Sequence, residues 1–341
     1  MELLRCSFIG VALLAGCGGG GGTSSTNNHP WALVAQSQPT ALLSVSGTSA
    51  TDVWVVGGDP RDGTGPVVEH YNGTAWTKLD AGVRNVDFWW VHAFDDGSVF
   101  MTGTNGTIVR YQNGAFTTMS TPGTAVVFGL WGNSSSDVWA VGGNSGGGAG
   151  AFAWRFDGTS WTNDTDVPSD LVTGGTIWKV DGISANDLWM SATNGMTLHW
   201  DGTTLTETPI PAAQQEQSSL TSIAGNSKRF VTAGGAFEGV VYENTGTGWG
   251  ASQVPAGGML LTGVTLSEDD SDGYAVGQFG TIMRRGANGW ADDHDAVTQA
   301  NLHAVWIDPS GNGWAVGGEF DTIPTKQGVL IFKGATPPPS F

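Results

Sequence analysis

Seven times along the chain an aromatic residue is followed three positions later by a small one. An aliphatic residue stands seven to ten positions before it. The aromatics are Trp54, Phe100, Trp139, Trp189, Phe230, Tyr274 and Trp314. The small residues are Gly57, Gly103, Gly142, Ala192, Ala233, Gly277 and Gly317. The aliphatic ones are Val45, Val91, Leu130, Val180, Ile223, Val264 and Val305. Spacings between the aromatics run 46, 39, 50, 41, 44 and 40. A period in the range of roughly 20–50 residues marks a supersecondary unit that buries its faces only against neighbouring copies.

Each unit reads as four short antiparallel strands, here A to D. Strand A carries the aliphatic residue, and strand B is of the DVWAVG type. Strand C is of the TIVRY or FAWRF type. Strand D opens on a second large apolar residue: Trp76, Phe116, Trp161, Leu205, Trp249 and Trp290. The C–D links YNGTAW, YQNGAF and FDGTSW contain Asn-Gly or Asp-Gly, which tolerate the positive φ of a tight hairpin turn. Helical periodicity does not survive so many Gly and β-branched residues. The pattern predicts an all-β fold, a seven-bladed β-propeller of four-stranded antiparallel blades. Blade seven lacks a D strand, because the chain there runs into three prolines. His29-Pro30-Trp31-Ala32-Leu33-Val34 has the D-strand pattern and no partner ahead of blade one. Residues 31–34 are therefore expected to close the ring as the fourth strand of blade seven.

Composition agrees and removes several function classes. Gly is 54 of 341 residues and Trp 16, as suits tight turns and bulky blade packing. The 10% aromatic content argues against a disordered chain. Charges are 13 basic against 31 acidic, a net of -18. A chain so poor in Lys and Arg has no phosphate-binding surface, so no nucleic-acid partner is expected.

The N-terminus reads as an address. Arg5 precedes an apolar run from Phe8 to Leu14 that is too short to span a bilayer. The run ends Leu14-Ala15-Gly16-Cys17, which resembles the processing signal of bacterial lipoproteins. The only cysteines are Cys6 and Cys17. Cleavage removes the first and lipidation consumes the second, so the folded body has no thiol for disulfides, zinc or nucleophilic catalysis. Four segments follow: a signal peptide over 1–16, lipidated Cys17 with a Gly-rich tether over 17–28, the propeller over 29–334, and a Pro-rich tail over 335–341. The expected location is the bacterial cell envelope, on the outer membrane, with the membrane touched only through the lipid and the chain monomeric.

With its DVWAVG and YNGTAW repeats, residues 29–334 resemble the kelch- and BNR-like seven-bladed β-propeller lipoproteins of bacteria. The resemblance implies the fold and fixes no activity, since such propellers include sugar-acting enzymes, lectins and assembly factors. Sialidase chemistry needs an arginine cluster and a tyrosine nucleophile. Here Arg110, Arg155 and Arg284 and all four tyrosines fall at strand positions, and the S-x-D-x-G-x-x-W box is absent.

Asp52, Asp137, Asp187 and Asp272 lie two residues before the B aromatic. His70, Arg155, His199 and Arg284 lie near the end of strand C in the same four blades. These are expected to form structural pairs across strands B and C, with Asp137 contributing more than the ~1 kcal/mol of a surface pair. A turn-capping role for the aspartates is the alternative. Glu268-Asp269-Asp270-Ser271-Asp272-Gly273 and Asp292-Asp293-His294-Asp295 are the two acidic clusters. Asp270 and Asp272 are weak calcium candidates, and no other cofactor is expected.

Function is expected on the variable B–C loops and D–A links, which share one face in a propeller. Phe237-Glu238, Phe279 and Glu319-Phe320-Asp321 place aromatics with acids on three consecutive blades. Asp59 and Arg61 stand in blade one. Trp89, Phe128 and Trp178 share an aligned position where strand A begins. Rings with acids suit a glycan or a basic peptide, and packing between blades is the alternative for the rings. The first reading is a non-catalytic binding or scaffold module for a glycan or protein ligand. The alternative is a glycan-acting hydrolase or lyase, for which paired carboxylates about 5–9.5 Å apart are needed. Asp181 is the only acid at an aligned strand A position, and it has no repeat-mate. A structural adhesin is a third reading.

Overall fold

The computed structural model describes residues 27–144, 150–164, 166–211, 219–256 and 258–341. The expected signal peptide, Cys17 and most of the tether lie outside the described residues. The described chain forms seven four-stranded antiparallel sheets. Blade one comprises Leu42–Ser49, Asp52–Gly57, Val68–Tyr71 and Trp76–Lys78, innermost first. Blades two to six repeat this order. The last sheet runs Leu302–Ile307, Gly313–Glu319, Lys326–Lys333 and then Trp31–Gln38, so the first described strand is the outer strand of the last blade. The ring closes as the sequence predicts, and the closing strand extends beyond residue 34 to Gln38.

Trp31 anchors that closure. Its backbone N–H donates to Asp295 Oδ2 at 3.0 Å and its indole N–H to Asp293 Oδ2 at 3.0 Å. Lys333 Nζ donates to the same Asp293 oxygen at 2.9 Å. The Trp31 ring meets Tyr274 of blade six edge-on at 5.3 Å. Trp249 on Trp189 and Trp76 on Trp314 repeat the geometry, each D-strand ring against the B-strand ring of the preceding blade. Such pairs add ~0.5–1.5 kcal/mol beyond area burial. Two acids of the second acidic cluster therefore hold the ring seam, and the third, Asp292, accepts from His294. The tail adds a second latch. The Trp76 indole N–H donates to the Pro339 carbonyl at 2.8 Å, Phe341 packs on Trp76, and Gln38 Nε2 donates to the Phe341 carbonyl.

Near its start, strand A of every blade carries one extra residue opposite its partner strand, a β-bulge. The seven are Leu43, Trp89, Phe128, Trp178, Thr221, Thr262 and His303. Strand A has no strand partner on its axial side, so its backbone groups need other partners. Side chains from neighbouring blades supply them. Ser44 Oγ accepts from Val91 N, Ser222 Oγ from Val264 N and Asp181 Oδ2 from Gly225 N at 2.7 Å. Trp90 Nε1, Lys179 Nζ and the Thr221 and Thr262 hydroxyls donate to carbonyls of the next or preceding strand A. Asp181, the one aligned acid, thus holds a backbone N–H.

The four cross-strand pairs are formed, at 2.7 Å for Asp52–His70, 2.9 Å for Asp187–His199, 2.6 Å for Asp272–Arg284 and 3.5 Å for Asp137–Arg155. Each basic group also lies on its strand B ring: His70 stacks on Trp54 and His199 on Trp189, while Arg155 and Arg284 sit over Trp139 and Tyr274. Arg110, which has no aspartate, donates to Ser98 Oγ and sits over Phe100. The expectation for Asp137 needs correcting. Its single long contact with a partly exposed arginine is worth about 0–1 kcal/mol. Asp272, 8% exposed and bound by Arg284 Nε and Nη2, is the strongly held member. The calcium candidates are likewise engaged: Asp270 meets Arg229, Arg285 and Asn226, and Asp272 meets Arg284 and the Tyr274 hydroxyl. Carboxylates neutralised by three arginines are poor ligands for a hard cation.

Candidate ligand-binding face

The B–C loops of blades five, six and seven carry the most exposed large apolar side chains among the described residues. Phe237 is 92% exposed, Ile323 86% and Phe279 59%, with Met259 of the adjoining D–A link beside them. Gly239 N donates to the Gly258 carbonyl and Phe279 N to Asn301 Oδ1, so each loop is tied to the following D–A link. Glu238, Glu319 and Asp321 flank the apolar groups. Lys326, in register with Glu319, is the nearby cation.

Phe279 occupies an unusual backbone conformation. The B–C turns of blades two, four and six share one hydrogen-bond pattern. Gly103 N, Ala192 N and Gly277 N donate to the carbonyls of Thr107, Met196 and Thr281. The two central residues have positive φ, as a type I′ hairpin turn demands. In blades two and four they are Asn105-Gly106 and Asn194-Gly195, with Asn φ of 60° in both. In blade six they are Phe279-Gly280, with Phe279 at φ 54°. Asn tolerates this region, whereas a bulky side chain there is an outlier. With most of its ring in solvent, Phe279 gains little burial to offset the strain.

Phe320 faces inward instead, edge-on to His303 at 5.0 Å. Trp89, Phe128 and Trp178 do come together. Trp89 meets Phe128 at 5.4 Å and His303 at 5.4 Å, and Phe128 meets Trp178 at 5.0 Å. These rings belong to blades two, three, four and seven, so they converge at the mouth of the central channel. Below them Lys179 Nζ lies 4.1 Å from the Trp90 ring centre. Burial pulls Lys179 down to about 7 and pushes Asp181 up to about 7. Burial also lowers His92 to about 4, and burial with the nearby Lys179 charge lowers His303 to about 3.

Asp59 and Arg61 serve the scaffold. Asp59 is 1% exposed and accepts from Arg61 N and Asn85 N, while Arg61 Nη2 donates to Asp87 Oδ2 at 2.6 Å. Their loop is thereby fixed to the link entering blade two. Ile323 and Met259 were not foreseen, because an isolated aliphatic residue in a loop belongs to no period. A cavity of about 230 Å³ at the opposite end, lined by Tyr71, Asn312, Trp314 and Pro338 among others, lies under the C-terminal tail at the ring seam.

No protein-family model and no curated protein matches the chain. Solved structures do. A streptogramin B lyase superposes with TM-score 0.68 at 15% identity, covering 90% of this chain and 99% of that one. YCF48 bound to a D1 peptide gives 0.66 at 12%, covering 92% and 97%. The extracellular domain of a putative hybrid two-component system, BT3049 from B. thetaiotaomicron, gives 0.65 at 15%, covering 90% of this chain and 41% of that one. At these identities the likeness defines a seven-bladed propeller and nothing narrower.

Proposed function

We propose that this chain is a non-catalytic binding propeller that takes a protein segment on its B–C loop face. The segment would present apolar side chains flanked by Lys or Arg. The observation that carries this reading is Phe279, a strained and exposed ring where sibling blades hold asparagine. Outliers of this kind gather at functional sites. Phe237 and Ile323 extend the apolar surface to both neighbouring blades. Glu238, Glu319 and Asp321 favour a basic flank. Ile323 and Met259 offer no flat face for a sugar ring, which weighs against the glycan expectation. A similar fold with a peptide bound supports the partner class.

The test is selection of random peptides on the immobilised full-length chain. Selected peptides should pair apolar residues with Lys or Arg, weaken as salt rises, and lose about tenfold or more in affinity against Phe237→Ala. Glycan-array binding abolished by Phe237→Ala, or turnover of a glycan substrate, would overturn the reading.

We further place the propeller at the bacterial envelope, tethered through a lipid on Cys17. In a bacterial host the chain should fractionate with membranes and incorporate labelled palmitate, and Cys17→Ala should do neither. Equal partition of the two chains would count against the anchor.

A further inference from the structure

The seven strand A bulges put one residue per blade at the channel mouth. Five positions are bulky: Leu43, Trp89, Phe128, Trp178 and His303. The other two, on consecutive blades five and six, are Thr221 and Thr262. The threonine hydroxyls are turned to the Leu261 and Leu302 carbonyls, leaving their methyl groups. The wall of rings is therefore interrupted over two adjacent blades, the same two whose loops carry Phe237 and Phe279. Leu43, Phe128 and His303 are buried, whereas Trp89, Trp178, Thr221 and Thr262 keep accessible surface.

Two hydrogen-bond donors in this mouth have no protein acceptor. Trp89 Nε1 and Trp178 Nε1 are both enclosed and unpartnered. Leaving such a group unpaired is unfavourable, because its bond to water is lost and nothing replaces it. The other unpartnered indoles, Trp161 and Trp249, differ in that their rings are sealed between blades at 7% and 8% exposure.

We propose that the channel mouth, opening over Thr221 and Thr262, is an anchor pocket for one ring-sized apolar side chain whose attached carbonyl accepts from the Trp178 or Trp89 indole N–H. The pocket stands on its own geometry, and only the source of that side chain, a bound protein segment, rests on the function proposed above. Aromatic anchors in enclosed pockets carry much of the energy of protein–peptide recognition.

The probe is N-acetylphenylalanine methylamide, titrated into the ¹⁵N-labelled full-length chain while the indole N–H resonances are followed. The Trp89 and Trp178 resonances should move saturably at millimolar probe, and those of Trp161 and Trp249 should stay. Thr262→Phe restores a ring that other blades carry at this position. It should stay folded, with a slightly lower melting temperature for the lost hydroxyl bond to the Leu302 carbonyl, and weaken the probe about tenfold. Trp178→Phe, which keeps a ring and removes the N–H, should weaken it severalfold. Phe279→Asn should leave probe affinity unchanged, because a single capped residue in the mouth does not reach the outer loop. Unmoved Trp89 and Trp178 resonances would overturn the pocket. So would equal probe affinity in a folded Thr262→Phe chain, or a stronger response to methyl glycosides. A pocket that binds the probe while selected peptides ignore Thr262→Phe supports the pocket and removes the protein segment as its source.

Discussion

A Phe279→Asn variant should be more stable than the wild-type chain and bind its protein partner far more weakly. The turn it occupies is built with Asn at the same place in blades two and four, with the same hydrogen bonds and nearly the same φ. A bulky residue in the left-handed region costs about 1–2 kcal/mol, and asparagine relieves part of that through its own local hydrogen bonding. Little burial is forfeited, because the ring is 59% exposed. The net expectation is a gain of ~1 kcal/mol in urea unfolding. Removing an exposed ring from the centre of a three-blade apolar surface should cost about 10–100-fold in peptide affinity. The two signs together are diagnostic, since a purely structural phenylalanine would show neither. The reverse change, Asn105→Phe, should destabilise by a similar amount and confer no binding. Undiminished affinity in Phe279→Asn would sink the assignment of this face.

The seven-fold pattern carried most of the fold because it repeats. Chance agreement at one blade is averaged out over seven, and the missing D strand then stands out as an unfilled place that Trp31 completes. The site was legible only in part. Phe237 and Phe279 were visible as loop aromatics, but their exposure depends on packing. Phe320, read by the same rule, turns inward to His303. Asp59 looked like a loop acid, while its Asx-type bond to Arg61 N marks it as a turn former. The acidic run at Asp270 lost its calcium character to Arg229 and Arg285, which arrive from other strands and share no motif with it. The bulges left a fainter trace. Two residues before each uniform aliphatic position stands a column of Leu, Trp, Phe, Trp, Thr, Thr and His. A variable column inside a regular strand pattern is the mark of a position released from sheet packing. Bulges re-aim side chains in this way, and often beside functional sites.

Two side chains inside the channel should each cost stability near neutral pH, and stability should rise from pH 7 toward 9.5. Lys179 donates to the Phe128 carbonyl and lies over Trp90, and Asp181 accepts from Gly225 N; neither is given an opposite charge by these contacts. Lys179 falls from 10.5 to about 7 on folding, through burial. Below pH 7 it is charged in both states and its full desolvation cost is present. Between pH 7 and 10.5 the unfolded chain binds more protons, so stability rises with pH. Asp181 rises from 3.8 to about 7, again through burial. Between those values the folded chain holds a proton the unfolded chain has lost, so stability falls as pH rises and the cost is complete above 7. His92 and His303, with folded values near 4 and 3, act the other way, removing stability as pH falls below 6.5. The clean window therefore lies between pH 7 and about 9.5, below the range in which tyrosines titrate. Lys179→Met should stabilise the chain by ~2 kcal/mol at pH 7, after the lost hydrogen bond and ring contact are deducted. That advantage should shrink steadily toward pH 9.5. Asp181→Asn, which keeps an acceptor for Gly225 N, should stabilise above pH 7 and make no difference near pH 4. Urea unfolding of the three chains from pH 4 to 9.5 measures both slopes, that of Asp181 as the difference from Asp181→Asn below pH 7 and that of Lys179 as the difference from Lys179→Met above it. A Lys179→Met advantage that is the same at pH 7 and pH 9.5 would show that the amine is not held in a low-dielectric channel.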